Sequence, residues 1–138
     1  GIPPEGIDLV NDIPAYEGQG VQITSYVVIC GTKYKTGYIM KKNDDFLRWN
    51  LGGNYNIFKF SCGFLDGEKP ESCCTIHIIA DGTEIGKEKI DHSLGLGMQE
   101  FTFDVTSKKI ITIRVDSDNC NYYFYSSLGI INPIADTY

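Results

Sequence analysis

Residues 58–64, FKFSCGF, decide the fold class, because apolar residues alternate with polar or small ones along the whole stretch. The apolar side is formed by Phe58, Phe60, Cys62 and Phe64. Successive side chains of a β-strand point to opposite faces. The stretch therefore predicts a strand with one buried face.

The same alternation extends outward through the chain, at residues 47–51, 101–105 and 111–115. Two further runs, 21–29 and 75–80, are rich in β-branched residues, which favour strands. Turn signals separate these runs, and the clearest is Asp81-Gly82, a pair typical of a two-residue hairpin. No stretch holds a helical period. Roughly nine to eleven short strands are expected at this spacing, which predicts an all-β fold, a jelly-roll-like β-sandwich.

One domain is expected over residues 7–138, and residues 1–6 are predicted to be a linker or the start of an excised fragment. The net charge of −6 and the pI of about 4.8 argue against nucleic acid and anionic membranes as partners. No apolar run approaches the roughly 20 residues of a membrane span, so membrane insertion is not expected.

Signals for catalysis are weak. The two histidines, His77 and His92, lie in no catalytic motif, and no nucleophile elbow, phosphate-binding loop or zinc-protease helix is present. His77 is expected on the outer face of its strand, opposite Ile76 and Ile78, as a surface or covered polar residue. The sequence therefore predicts a protein that is not an enzyme.

The five cysteines are Cys30, Cys62, Cys73, Cys74 and Cys120. An odd number leaves at least one thiol without an internal partner. Buried reduced cysteines acting as small apolar residues are the favoured interpretation. One disulfide is the alternative, and the sequence does not identify its partners.

Aromatic residues concentrate near the end of the chain, beside several amides and acids. Sugars bind to aromatic platforms flanked by hydrogen-bonding side chains. The residues predicted to bind a glycan or polysaccharide are Asp118, Asn119, Asn121, Tyr122, Tyr123, Tyr125 and Lys41. The alternative is an aromatic strand that packs into the core. Trp49 shares a strand face with Leu47 and Leu51 and is predicted to be buried.

Acidic side chains cluster at two predicted strand ends. Carboxylate oxygens in such loops suit calcium, which takes six to eight oxygen ligands. The candidate ligands are Asp44, Asp45, Asp116 and Asp118. Acidic turns are more often simply solvated, so no cofactor is required and calcium is an optional ligand.

The order of several motifs resembles the NPCBM-type domains, the novel putative carbohydrate-binding modules of bacterial glycosidases and surface proteins. The matching stretches are 7–16, 31–37, 50–55, 60–67, 79–82, 104–106 and 111–115. The resemblance implies a β-sandwich, carbohydrate binding, often with calcium, and an extracellular setting. Two family features are missing: residues 39–42 lack the His-Ala step, and residues 121–127 lack the acidic motif with its tryptophan.

The sequence thus predicts a non-catalytic carbohydrate-binding module of a bacterial secreted or cell-surface protein. The alternative is a protein-interaction or structural β-sandwich module that has lost the glycan site.

Overall fold

The computed structural model describes residues 6–121 and 124–138, and within them it is almost entirely β. Its strands are β1 (Ile7–Asp8), β2 (Glu17–Gly18), β3 (Val21–Gln22), β4 (Val27–Ile29), β5 (Thr32–Tyr34), β6 (Gly37–Met40), β7 (Phe46–Asn50), β8 (Ile57–Phe64), β9 (Cys73–Ala80), β10 (Thr83–Asp91), β11 (Gln99–Asp104), β12 (Ile110–Asp116) and β13 (Leu128–Asp136). A short 3₁₀ helix, η1 (His92–Leu94), follows β10. No helix in the described part of the chain has the length and apolar character needed to cross a membrane.

Two antiparallel sheets pack face to face, as the alternation predicts. One has the order β11-β8-β13-β6-β3, with β1 added beside β13, and the other has the order β10-β9-β12-β7-β2. The predicted β-sandwich is therefore confirmed. The prediction of one strand over 21–29 is wrong: β3 pairs with β6, whereas β4 forms a separate hairpin with β5.

The core lies between the sheets and is built from the apolar faces predicted from the sequence. Trp49 is fully buried, as expected, and its indole Nε1 donates a hydrogen bond to the Leu9 carbonyl at 2.8 Å. Its ring lies 5.8 Å from that of Tyr38 and 5.5 Å from that of Phe58, centroid to centroid. Because Trp49 belongs to one sheet and Phe58 to the other, these rings join the two layers.

A second, smaller apolar cluster covers the outer face of the larger sheet. Ile29, on the β4–β5 hairpin, packs over Gly63 and Gly129. A Cβ at Gly129 would lie 2.9 Å from Ile29 Cδ1, so the Ile29 side chain would have to shift to accommodate it. The hairpin thus buries a face that a two-layer sandwich would leave in water.

The cysteines correct one prediction. Cys73 and Cys120 form a disulfide, with their Cα atoms 5.8 Å apart, so the interpretation of all five as reduced thiols is wrong. Cys73 and Cys74 point to opposite faces of β9, as adjacent strand residues must. Cys62 and Cys74 lie in the core, where burial raises the pKa of both thiols.

Candidate functional site

The long connections of the sandwich converge at one end, called here the loop end. Its described segments are 41–45, 65–72, 92–98, 117–121 and 124–127, which lie next to strands that finish or begin on the same side. Hydrogen bonds tie these segments together. Ser72 Oγ lies 2.8 Å from Ser126 Oγ, and the Ser72 carbonyl accepts from the His92 amide at 2.9 Å.

A shallow groove of ≈ 130 Å³ opens on this end. It is lined by Glu71, Cys73, Lys89, Asp91, Ser93, Asn119, Cys120 and Asn121. Asn119 and Asn121 were predicted to bind a ligand, and the structure brings both to the groove. The other polar side chains of the lining come from β10, η1 and the segment 65–72, where the sequence predicted no binding residue.

Asp91 fixes one wall of the groove because it caps η1. Its Oδ1 accepts from the Ser93 amide at 3.1 Å and from the Ser93 hydroxyl at 2.6 Å. The Ser93 hydroxyl is the main group that lowers the pKa of Asp91 below its ordinary 3.8, and Lys89, with its Nζ 3.9 Å from Asp91 Oδ2, adds to the effect. The groove therefore presents two carboxylates, from Glu71 and Asp91, together with a hydroxyl, two amides and an ammonium group.

The disulfide anchors the segment that carries the two asparagines. Cys120 is bonded to Cys73 at the start of β9, and the Cys120 amide donates to the Ser117 carbonyl at 3.0 Å. Asn119 has a positive φ of 64°, a conformation that asparagine tolerates better than most residues. The covalent link and the tight turn hold Asn119 and Asn121 at the groove.

The aromatic run is divided between the core and solvent. Phe124 is buried, with its ring centroid 6.3 Å from that of Phe64, whereas Tyr125 is 73% exposed. Both lie in a loop before β13, so the expectation of an aromatic strand is wrong for them. Tyr122 and Tyr123 lie outside the described residues, and their predicted role stays a prediction.

The segment 41–45, which carries Lys41, lies at the loop end but does not line the groove. Its Asn43 amide donates to the Phe124 carbonyl at 3.2 Å. Asp45 Oδ2 accepts from the amides of Lys41 and Lys42, both at 3.1 Å. The Asp45 carboxylate is thus occupied in holding its own turn.

The four acids predicted as calcium ligands are not assembled around one point. Asp44 Oδ1 lies 3.1 Å from Arg114 Nη1, and Asp116 Oδ2 lies 2.7 Å from the same nitrogen. A guanidinium group therefore stands between them. Asp118 lies beside Asp116, and its amide donates to Asp116 Oδ1 at 2.9 Å.

His77 is on the outer face of its sheet, as predicted, and its 4% exposure agrees with the covered position, not with the surface position, of the two that the sequence allowed. Its Nδ1 contacts Glu84 Oε1, and its Nε2 lies 2.8 Å from Asp116 Oδ2. These two acids cover the ring nitrogens of His77. The Asp81-Gly82 turn indicates from the sequence that Glu84 lies on the strand next to His77. An irregularity in β10 between Glu84 and Gly86 shifts the pairing of β10 with β9, so the contact itself could not be predicted.

Burial opposes ionisation of Asp116, yet the pKa of this carboxyl is lowered below 3.8. The hydrogen bonds from the Asp118 amide and the Arg114 guanidinium are the main interactions that outweigh the loss of solvent. Asp116 is therefore an anion held in place by its neighbours.

No family model matches the sequence, and no curated protein is similar to it at a significant level. Solved structures do share its fold. Tandem CBM51 modules of the family 98 glycoside hydrolase from Streptococcus pneumoniae superpose with a TM-score of 0.73 at 11% identity, over 100% of this chain and 48% of that one. A CBM51 from Clostridium perfringens GH95, solved with methyl-galactose, gives 0.68 at 9% identity, over 94% of this chain and 99% of that one.

A third similar structure contains CBM51-2, in complex with GlcNAc, and INT domains of Clostridium perfringens ZmpB. Its TM-score is 0.66 at 14% identity, over 91% of this chain. The present chain spans 29% of the length of that structure. At such low identities the likeness establishes the fold alone, and the chain accordingly has the β-sandwich fold of these carbohydrate-binding modules.

Proposed function

We propose that this domain is a non-catalytic carbohydrate-binding module of a bacterial secreted or cell-surface protein, with its site at the loop end. The observation that carries the proposal is the polar groove beside Asn119 and Asn121, on a fold shared with carbohydrate-binding modules. The NPCBM resemblance supports the same function.

Hydroxyl-rich ligands suit the chemistry of the groove. The Asn119 and Asn121 amides can donate and accept, the Asp91 carboxylate accepts, and the Lys89 ammonium donates. The volume of ≈ 130 Å³ is well below the roughly 300–1,000 Å³ of common ligand pockets. We therefore expect one sugar residue or a chain end to bind weakly, with Tyr125, which is exposed at the loop end, as the candidate for an aromatic platform.

Asp91 is poorly suited to act as the general acid of glycoside hydrolysis. A catalytic general acid needs a raised pKa so that it keeps its proton at neutral pH. Asp91 has the opposite shift, because the Ser93 hydroxyl and Lys89 stabilise its charged form. This favours a binding role, in which an attached enzyme or cell is held near its glycan through a higher local concentration.

The Cys73–Cys120 disulfide supports an extracellular setting, since disulfides form and persist in oxidising compartments. Calcium is not required for the proposed binding. Asp45 is engaged by amides of its own turn, and Asp44 is paired with Arg114.

The test is a glycan array probed with the purified domain, with and without calcium. We expect the wild-type domain to bind a glycan, and we expect Asn121→Ala and Tyr125→Ala each to weaken that binding. The variant Tyr123→Ala is included because the sequence predicts that Tyr123 also binds the ligand. Asn54→Ala and the 82% exposed Tyr138→Ala serve as matched controls, because both residues lie at the other end of the sandwich. No binding by a folded sample across a broad array, or binding that Asn121→Ala leaves unchanged, would refute this site.

Protein binding at the same end is the second candidate. Leu94 and Leu96 are 64% and 57% exposed, and aliphatic surface of this kind favours a protein partner over a sugar. Affinity capture from surface proteins of the source cell, compared between wild type and Leu94→Ser/Leu96→Ser, distinguishes this candidate if the array is silent.

A further inference from the structure

His77 is a buried histidine with one ring nitrogen that lacks a hydrogen-bond partner among the described residues. Its side chain is 5% exposed, yet Nε2 has no hydrogen-bond partner in the described structure. Asp116 Oδ2 is only 2.8 Å away, but it lies outside hydrogen-bonding geometry. Asp118 Oδ2 faces the same nitrogen at 3.8 Å. A buried nitrogen that meets two carboxylates without a hydrogen bond is suited to a positive charge placed between them.

The other nitrogen of the ring fixes the tautomer. Nδ1 contacts Glu84 Oε1. An ionised carboxylate can only accept a hydrogen bond, so the Nδ1–H group donates to it. In the tautomer that carries its proton on Nδ1, the Nε2 lone pair faces Asp116 and Asp118. A histidine that donates one N–H to a carboxylate while its other nitrogen is a ligand is the usual arrangement at protein metal sites.

We propose that His77 Nε2, Asp116 and Asp118 bind a divalent transition cation of the zinc class, with a fourth position open to water. The three ligand atoms lie within 4.8 Å of one another. Bonds of about 2.0–2.1 Å in a tetrahedron place ligand atoms about 3.3 Å apart, between the 2.8 and 3.8 Å separations of Nε2 from the two carboxylates. Small side-chain shifts bring the set to that geometry.

The donor set selects against calcium. Calcium takes six to eight oxygen ligands, whereas this group offers one imidazole nitrogen and two carboxylates. Imidazole suits zinc and its neighbours in the transition series. The predicted metal ligands Asp116 and Asp118 thus enter a site of a different chemical class from the calcium site expected from the sequence.

The surrounding charges favour a cation, with one opposing group. Asp116, Asp118 and Glu84 supply three negative charges around His77. Arg114 Nη1 opposes the ion because it lies 2.7 Å from Asp116 Oδ2, the oxygen that also faces His77. Arg114 is one-third exposed and already contacts Asp44, so it can move toward Asp44 when an ion takes its place. Lys87, opposite His77 on β10, is exposed to solvent.

The backbone of Asp118 is positioned in advance. Its carbonyl accepts from Thr75 Oγ1, and its amide donates to Asp116 Oδ1. The disulfide at Cys120 holds the next turn. An ion would therefore add to a loop that is already held, without the cost of ordering it.

The experiment measures zinc uptake by the whole domain at neutral pH, by isothermal titration and by metal analysis after gel filtration. We expect about one zinc per chain, a raised melting temperature through ligand linkage, and loss of binding in His77→Gln. Asp118→Asn guards against misfolding because this side chain is 60% exposed, and we expect it to weaken zinc binding at least about tenfold. His92→Gln, at the second histidine of the chain, is the matched control and keeps wild-type binding.

Protonation of His77 is the alternative to metal binding, because a positively charged imidazolium would also neutralise the two carboxylates. Nitrogen-15 NMR of the histidine rings in the presence of zinc separates the two cases. Loss of the Nε2 proton and a metal-shifted Nε2 signal support the metal site. Protonation of both ring nitrogens with zinc present, no uptake by wild type, or equal uptake by His77→Gln and Asp118→Asn overturns it. None of these readouts depends on glycan binding.

Discussion

The two ends of the sandwich are built by different means. At one end, called here the turn end, strands are joined by short turns such as Asp81-Gly82 and the segment 105–109. The loop end has longer segments, such as the eight residues 65–72, held by contacts between residues far apart in sequence. Asp66, for example, accepts from the Cys30 and Gly31 amides at 2.7 and 2.9 Å. Short local turns form the connections of the turn end, with contacts such as that between Asp81 and the Ile110 amide joining neighbouring turns. Longer segments held to one another by long-range contacts form the end that carries the groove.

The largest test of this contrast is removal of the disulfide. Replacing Cys73 and Cys120 together by serine opens a 47-residue separation, and we expect the free energy of unfolding to fall by about 2–4 kcal/mol. Urea denaturation measures the loss, and the same variant is tested for glycan and zinc binding. Cys30→Ser, at an exposed free thiol, is the control and should change stability by less than about 0.5 kcal/mol. An unchanged stability in the double variant would mean that the loop end is held by local contacts after all.

Glycine substitutions compare the backbone rigidity of the two ends, and we expect them to change the free energy of unfolding less than removal of the disulfide does. Gly82, in the hairpin turn, and Gly67, in the segment 65–72, have φ values of 83° and 91°, and a Cβ added at either position would meet no atom within 4 Å. Only backbone strain is therefore at issue. We expect Gly82→Ala to cost about 1–2 kcal/mol, because a two-residue turn cannot change its conformation without breaking register.

Gly67→Ala should cost less than half as much, since the longer segment can relax. Thermal and urea unfolding of the two variants, measured in parallel, check the difference. Equal losses would show that the loop end is as rigid locally as the turn end.

The same contrast explains how much of the protein the sequence could predict. Alternation in β8 and the Asp81-Gly82 pair are local signals, and both predicted the structure. The Cys73–Cys120 pairing, and the contact of Glu84 with His77 across an irregular β10, depend on which strands become neighbours. One-dimensional spacing does not contain that information.

For the candidate site, the sequence located one wall of the groove. Asn119 and Asn121 stand beside an acidic and aromatic run, which is a visible pattern. Asp91 and Ser93 also line the groove, because η1 lies beside the residue that precedes β9. No sequence motif predicts that contact. The exposed Tyr125 and the buried Phe124 show the same limit, since a loop does not alternate as a strand does.

The smallest expected effect concerns the charge that holds the turn end. Asp81 accepts from the Ile110 amide at 2.9 Å and from the Lys109 amide at 3.1 Å, and these hydrogen bonds lower the pKa of its carboxyl below the ordinary 3.8. A carboxyl whose pKa is lower in the folded state stabilises the fold above its unfolded pKa and loses that contribution as the pH falls through the folded value.

Asp81→Asn keeps an acceptor and tolerates the positive φ of 48°, but removes the charge. We therefore expect the wild type to exceed Asp81→Asn in stability at neutral pH, with the difference vanishing on acidification below 3.8. Urea denaturation across this range, with the Asp81 carboxyl followed by NMR, checks the sign. A difference that persists in acid would show that the amides at this end are held by the shape of the turn, without help from the charge.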